Sequence, residues 1–506
     1  MAMDISRRQL FIRSTHGTGS QASPQAHAEA GTTAIHALKG ALATRAALAS
    51  GLGAMAQAAQ AAVAAPNDYK ALVCLFMYGG NDAHNWIVPL DAAHHALYRN
   101  ARGGYADESQ GGLALRPSEL TEINPGDGQA NGRRFGMAKE LAPLTALYNA
   151  GRAAVVANVG PLLRPTTKQQ FINEVGLPPK LFSHNDQQST WQASAPEGAS
   201  HGWAGLMADL FSDFNSNPMF SSVSATGNTV LLAGRKVVQY QVGPNGSVTM
   251  RGLGPRDDHI HASYAAPASL RALLADAGSG ALRKELVRVM QRSITADVSF
   301  RAMVMNTLVP DLPALSYGAM PLGHPGQLSD DPLAKQLRMV ARIIRANGVL
   351  GMKRQVFMVS IGGFDNHDQL NREQPALMRR VAQSIQWFQS ALDAELQNNV
   401  TLFTASDFGR TMASNGKGSD HGWGAHHFAV GGAVRGGRIV GTFPRTALST
   451  PNEDNPDEVG SGRLLPSTSV DQFAAALGRW FGVPETGLDA VLPNLAQFRQ
   501  RDIGLF

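Results

Sequence analysis

The chain has 506 residues, 43% of them hydrophobic and 16% charged, with 53 glycines, 27 prolines and a formal net charge of +5. That length and apolar content supply a sizeable core and exclude a disordered, collagen-like or coiled-coil chain. The one cysteine, Cys74, excludes an intramolecular disulfide and any Cys-rich zinc or iron–sulfur site.

Ser6-Arg7-Arg8-Gln9-Leu10-Phe11 reads S-R-R-x-L-F, close to the twin-arginine export pattern. Polar sequence from Ser14 to Thr33 separates the arginines from an Ala/Leu/Gly stretch, Ala41–Ala65, and Ala62-Val63-Ala64 puts small residues at the cleavage positions. Residues 1–65 are therefore expected to be an export leader handled by the twin-arginine translocon, with a periplasmic or extracellular mature chain of residues 66–506. The alternative is an Ala-rich N-terminal helix that stays attached. This segment carries Arg7, Arg8, Arg13, Lys39 and Arg45 against Asp4 and Glu29, so three of the net positive charges belong to it and only two remain. Such a balance predicts no nucleic-acid partner and no anionic membrane surface. No later run of about 20 apolar residues could span a bilayer.

Along the mature chain, short apolar runs read as buried strands: Ala71–Tyr78, Ala153–Val159, Gln355–Ile361, Val400–Ala405 and Phe428–Gly432. Gly103–Arg134 and Val242–Ala266 are rich in Gly, Pro, Asp and Ser and read as long loops. Alternating patches within Met219–Met250 suggest a small β-rich insertion, with the inserted region at roughly 205–330. Leu333, Leu337, Val340, Ala341 and Ile344 share one helical face, with Asp330 as N-cap and Gly348 past the end. Leu377, Val381, Ile385, Phe388, Leu392 and Leu396 form a second stripe. Asp471–Phe481 reads as a helix and Leu492–Phe498 as a closing segment on the sheet. Continuous apolar strands alternating with helices predict an α/β fold with a mainly parallel sheet covered on both faces.

The polar residues of interest follow the predicted strands, on the edge where open parallel sheets bind ligands. Gly79-Gly80-Asn81-Asp82 lets the backbone turn sharply and places a carboxylate at a strand end; a turn chosen for its conformation alone reads the same. Asp365-Asn366-His367 can deliver an oxygen and an imidazole to one ion, because alternate residues of an extended chain project from one side; an Asx turn with an exposed histidine is the alternative. The densest group runs from Asp407 through Arg410, Asp420 and His421 to His426 and His427. Histidines and carboxylates together suit a borderline divalent cation, whereas Arg410 could clamp a phosphate or sulfate. Ser183, ahead of His184, is placed to cap a helix, where its hydroxyl would meet an anion-attracting end. No G-x-S-x-G elbow, Walker loop or dinucleotide fingerprint is present. Cys74 lies in an apolar run and reads as core packing; His94 and His95 read as surface residues.

The pieces LVCLFMYGGNDAHNWIVP, LFSHNDQQSTWQ, GGFDNHDQL, SDFGRT, GSDHGWGAHHFAVGGAVRGG, DQFAAALGRWFGV and VLPNLAQF, behind a twin-arginine start, resemble the bacterial family called domain of unknown function 1501. That family is grouped with the alkaline phosphatase-like superfamily. The resemblance implies a parallel sheet between helices with one or two divalent metals (zinc, manganese, iron or calcium) at its C-terminal edge. It further implies that Asp82 is similar to the superfamily's first-strand metal aspartate and Asp420-His421 to its Asp-His pair. His426 or His427 is similar to the later metal histidine, and Asp365 and His367 to the other Asp/His pair, spaced more closely here than in the phosphoglycerate mutases. No sulfatase C-x-P-S-R or S-x-P-S-R sequence occurs, which leaves Ser183 as the candidate nucleophile and Arg410 or His184 as anion-stabilising groups.

The expectation is an exported metal-dependent hydrolase acting on a small-molecule or polymer phosphate or sulfate ester. The competing expectation is a non-catalytic exported protein that keeps the fold and binds a metal, a polymer or a partner. Convergence of Asp82, Asp365, His367, Asp420, His421 and one of His426 and His427 would mark a retained metal site; Ser183 pointing into it would make hydrolysis the default, and Ser183 far from it binding or water-based chemistry.

Overall fold

The computed structural model describes residues 63–126, 129, 133–247, 253, 263–276, 278 and 280–506. The expected leader lies outside the described residues apart from positions 63–65, and so do residues 248–252 and 254–262 of the segment Val242–Ala266, expected to be a loop.

Strand β1 (Lys70–Met77) shows why the fold has three layers. Seven of its eight residues are buried. Ala71, Val73, Leu75 and Met77 enter one core, while Leu72, Cys74 and Phe76 enter a second. Side chains alternate across a strand, so a run that is apolar on both faces is stable only with a helical layer on each side. Each large apolar side chain buried in this way contributes about 1.5–3 kcal/mol.

The remaining strands are β2 (Ile87–Pro89), β3 (Leu120–Ile123), β4 (Phe135–Ala138), β5 (Ala153–Gly160), β6 (Ser222–Ser224), β7 (Tyr240–Gly243), β8 (Gly246–Ser247), β9 (Arg354–Ile361), β10 (Val400–Ser406), β11 (Arg410–Ser414), β12 (Ser419–His421), β13 (Ala425–Val430), β14 (Ile439–Val440) and β15 (Thr468–Ser469). Among the described residues ten of them make one sheet, in the order β14-β5-β13-β10-β1-β9-β6-β7-β8 with β15 also on β5. The pairs around β1, β9, β10 and β6 are parallel except where β13 enters antiparallel between β10 and β5. β2, β4 and β3 form a small antiparallel sheet, and β11 and β12 a hairpin.

Helices α1 (His184–Ala193), α2 (Trp203–Phe211), α3 (Pro332–Arg345), α4 (Leu370–Ala391) and α5 (Val470–Phe481) flank the sheet. Leu337, Val340 and Ile344 of α3 and Leu377, Val381 and Phe388 of α4 pack in the first core. Trp191 of α1, Trp203 and Met207 of α2 and Phe473 and Leu477 of α5 pack in the second. The expected α/β architecture, a large and mostly parallel sheet flanked by helices, is therefore present. No described helix is long and apolar enough to cross a membrane.

Several local expectations are corrected. The cap of α3 is Asp331, whose carboxylate accepts the Leu333 N–H at 2.8 Å, and not Asp330. Leu392 ends α4, and Leu396 belongs to a separate short helix, Ala394–Asn399. In the region expected to be a β-rich insertion, β6 and β7 extend the central sheet in parallel, and the helix Ala281–Met303 is its longest described element. β13 starts at Ala425 rather than Phe428, so His426 and His427 are strand residues. His95 is buried, with Nδ1 2.9 Å from the Pro89 carbonyl, because it faces inward from the helix Ala92–Ala101.

Candidate metal centre

The parallel register sets the stage. Met77 of β1 pairs with Ile361 of β9 and with Ser406 of β10, so the three strands end level and their following loops leave the same edge together. Backbone crowding there demands glycine. Gly79 has φ +116°, and a Cβ on it would lie 2.4 Å from the Asp365 nitrogen. Gly80 has φ +83°, and its Cβ would lie 2.4 Å from the Phe408 ring. Only residues without a side chain let these loops nest, which any larger residue would force apart.

Three imidazoles meet one carboxylate at this edge. His184, at the first position of α1, places Nδ1 2.6 Å from Asp407 Oδ2. His421, at the end of β12, places Nδ1 2.8 Å from the Phe182 carbonyl. His367 places Nδ1 3.0 Å from Asp420 Oδ1. A carbonyl cannot donate and an ionised carboxylate only accepts, so each Nδ1 carries the proton, and in the neutral ring each Nε2 presents its lone pair. All three Nε2 atoms turn toward Asp365, at 3.5 Å for His184, 3.1 Å for His367 and 3.3 Å for His421. His367 Nε2 and His421 Nε2 stand only 3.0 Å apart. Two lone pairs at that distance repel unless a proton or a cation lies between them. Ligand atoms on a tetrahedral ion at about 2.0–2.1 Å are separated by about 3.3 Å, which is the spacing seen around Asp365.

Among the described residues, His184, Asp365 and His421 are the three whose ligand atoms all lie within 4.8 Å of one another; His367 stands beside two of them. Their side chains are 30%, 45% and 25% exposed, so the cluster opens to solvent on one side. Phe408 closes the other, its ring centroid 4.8 Å from that of His184 and 4.6 Å from that of His421.

Electrostatics follow from these neighbours. Partial burial pulls the Asp365 carboxyl up, but the Arg410 hydrogen bond and charge, with His367 and His184, hold it below the usual carboxylate range. The hydrogen bond to Asp407 raises His184 above the ordinary histidine value, against partial desolvation. Desolvation lowers His421.

The other expected site residues either brace the cluster or lie away from it. Asp82 is buried: its Oδ2 accepts from Arg102 Nη2 at 2.9 Å and from Ser419 Oγ at 2.7 Å, and its Oδ1 accepts the His84 N–H. Both ion-pair partners are within 1% of full burial, so the carboxylate neutralises Arg102 rather than facing the cluster. Asp407 and Asp420 hold histidines instead of offering ligand atoms of their own. Arg410 is fully buried, and its two Nη atoms contact the Asp365 carboxylate, the Ser419 carbonyl and the Gly79 carbonyl, while Nε has no acceptor. Ser183 is the N-cap residue of α1, yet its hydroxyl donates to Asp186 Oδ2 at 2.9 Å. His426 and His427 turn into opposite cores. His426 stacks on Phe443 at 4.3 Å with Nδ1 accepting the Asn158 N–H, and His427 lies against Trp191. Burial holds His426 well below its ordinary value and pushes His427 down to about 3.

Sequence reasoning missed the groups that act through backbone or distance. These are the Phe182 carbonyl, Gln188, which donates to Asp407 Oδ2 at 2.9 Å, and Asn415, which donates to Asp420 Oδ1 at 3.0 Å. Phe182 has φ +71°, a conformation an aromatic residue adopts only under constraint. No composition or spacing signal marks a carbonyl.

The protein family described as "Protein of unknown function (DUF1501)" matches residues 69–492 of the chain. No curated protein matches it.

Proposed function

We propose that this chain, which belongs to the DUF1501 family, is an exported metal-dependent hydrolase of alkaline phosphatase-like type acting on a phosphate or sulfate ester. The observation that carries the reading is the convergence of His184 Nε2 and His421 Nε2, each with its Nδ1 tied to an acceptor, on Asp365 at 3.5 and 3.3 Å. Three ligands with an open side are the pattern of a catalytic rather than a structural ion site. Outer acceptors on each Nδ1 are what orients histidine ligands. Imidazole-rich donors favour zinc, manganese or iron over calcium, which prefers an all-oxygen shell.

Charge supports the same reading. Asp365, Asp407 and Asp420 set three negative charges against Arg410, and a divalent ion cancels the remainder, so an anionic ester is repelled less once the ion is present. A divalent ion at these ligands would acidify a water molecule and draw charge from an ester oxygen. The chain itself does the rest. Asp407 and the Phe182 carbonyl hold His184 and His421 in register, and Phe408 keeps water from the inner side. His367, paired with Asp420 and 44% exposed, is placed to take up a proton at its unprotonated Nε2 from the attacking water. With the Ser183 hydroxyl committed to Asp186, the attacking group in this mechanism is water. The twin-arginine start supports export.

A second reading, a metal-binding protein without catalysis, is favoured by the buried state of Arg410 and by the engaged Ser183 hydroxyl.

Elemental analysis of purified wild type and of Asp365→Ala and His421→Ala variants decides the metal. About one or two equivalents of zinc, manganese or iron, lost in the variants, followed by turnover of aryl phosphate or aryl sulfate, is the expected result. Bound metal with no turnover of either ester selects the binding reading. No metal after reconstitution overturns both.

A further inference from the structure

Arg410, the arginine that the motif spacing favours for anion binding, is buried, with both Nη atoms engaged by protein acceptors and Nε enclosed without one. Another arginine beside the cluster is only half-buried. Arg463 lies 42 residues beyond His421 and donates Nε–H to the His421 carbonyl at 2.9 Å. Its Nη1 donates to the Gly460 carbonyl at 3.3 Å. Its guanidinium lies over the Phe182 ring, 4.8 Å from the centroid. Arg463 therefore touches both residues of the Phe182–His421 hydrogen bond that fixes one ligand of the proposed ion. Among the described residues it forms no ion pair with an Asp or Glu, and Nη2 has no protein acceptor. Its backbone is pinned as well: the Arg463 N–H donates to the Gly460 carbonyl, and its own carbonyl accepts the Val459 N–H.

A half-buried guanidinium anchored on carbonyls and an aromatic face, with its charge uncancelled, is preorganised for a ligand that brings the negative charge. We infer that Arg463 is a substrate-binding residue that holds the tetrahedral oxyanion portion of the ester beside the His184–Asp365–His421 cluster. The assignment rests on the hydrolase reading for the ester but not for the anion. With the ion cancelling the surplus of the three carboxylates over Arg410, Arg463 leaves the mouth of the site one charge positive. That sign favours phosphate or sulfate over neutral esters.

The test is calorimetric titration of inorganic phosphate, and separately sulfate, into zinc-loaded and metal-free protein. Wild type, Arg463→Gln and Arg463→Lys are compared, with zinc content measured for each. Gln keeps a donor for the His421 carbonyl without the charge, and Lys keeps the charge without the planar fork. Phosphate binding weakened about tenfold or more in Arg463→Gln, less in Arg463→Lys, with zinc content unchanged in both, is expected. Equal phosphate affinity in wild type and Arg463→Gln, or no phosphate binding by wild type, overturns the inference. So does loss of zinc together with phosphate in Arg463→Gln, which would make Arg463 a mere support for His421. If wild type takes up no zinc, the metal reading falls, while the metal-free titration still decides Arg463.

Discussion

The Asp407 carboxylate accepts N–H groups from His184, Gln188 and Gly79 on a single oxygen, and its other oxygen is buried without a partner. That lopsided arrangement orients His184 and strengthens its basicity without spending a ligand atom. In Asp407→Asn the shape is kept and the charge is lost, so zinc affinity should fall about 10–100-fold, read by competition with a chromogenic chelator. The same substitution should bring the His184 imidazole in the metal-free protein back toward the ordinary histidine value in an NMR titration, because the Asp407 hydrogen bond is the main cause of its elevation. An unchanged affinity would show that Asp407 only fills space. Phe182 offers a second test at this scale. At φ +71° any L side chain is strained, so Phe182→Gly should be more stable than Phe182→Ala by about 1 kcal/mol in urea unfolding. The usual order, Ala above Gly, would mean that the backbone there is not constrained as described.

Among the elements, α5 carries a carboxylate in an unfavourable place. Asp471 lies in its first turn, is buried, and accepts the Asn494 N–H at 3.1 Å. Burial raises its pKa from 3.8 to about 6, the hydrogen bonds only partly opposing. The folded value exceeds the unfolded one, so the native state binds the proton more tightly. Stability from this group is complete below about pH 4 and is lost as pH rises through about 6. Asp471→Asn keeps the acceptor oxygen and removes the titration. It should therefore gain stability relative to wild type between pH 4 and pH 7.5 in chemical denaturation, and a constant difference across that range would refute the account. The elements themselves were legible where both faces or one whole stripe were apolar, as in β1, β9, β10, α3 and α5. They were misplaced where polar residues were buried. His426 and His427 looked like loop ligands because the sequence around them is glycine-rich, yet β13 pairs with β5 and β10 and takes both rings into the cores.

For the molecule as a whole, Cys74 reports on global unfolding. It sits in the middle of β1, fully buried, and burial keeps its thiol well above the ordinary range. No thiol should react with an aromatic disulfide reagent in the native protein, and one should react per chain in denaturant; reaction in native buffer would expose β1 as an opening strand. What the sequence by itself determined is the two-faced apolar run of each central strand and the kinds of residue that follow it, because burial periodicity and turn chemistry are local. It therefore predicted a helix-covered, mainly parallel sheet and placed Asp365, His367, Asp407 and His421 near its edge. Which carboxylate meets which imidazole was decided only by tertiary structure. Gly79 and Asp407 are 328 positions apart and meet because β1 and β10 end in register. Asp82, five residues past the end of the same β1, is claimed by Arg102, since a buried carboxylate without a counter-charge is costly.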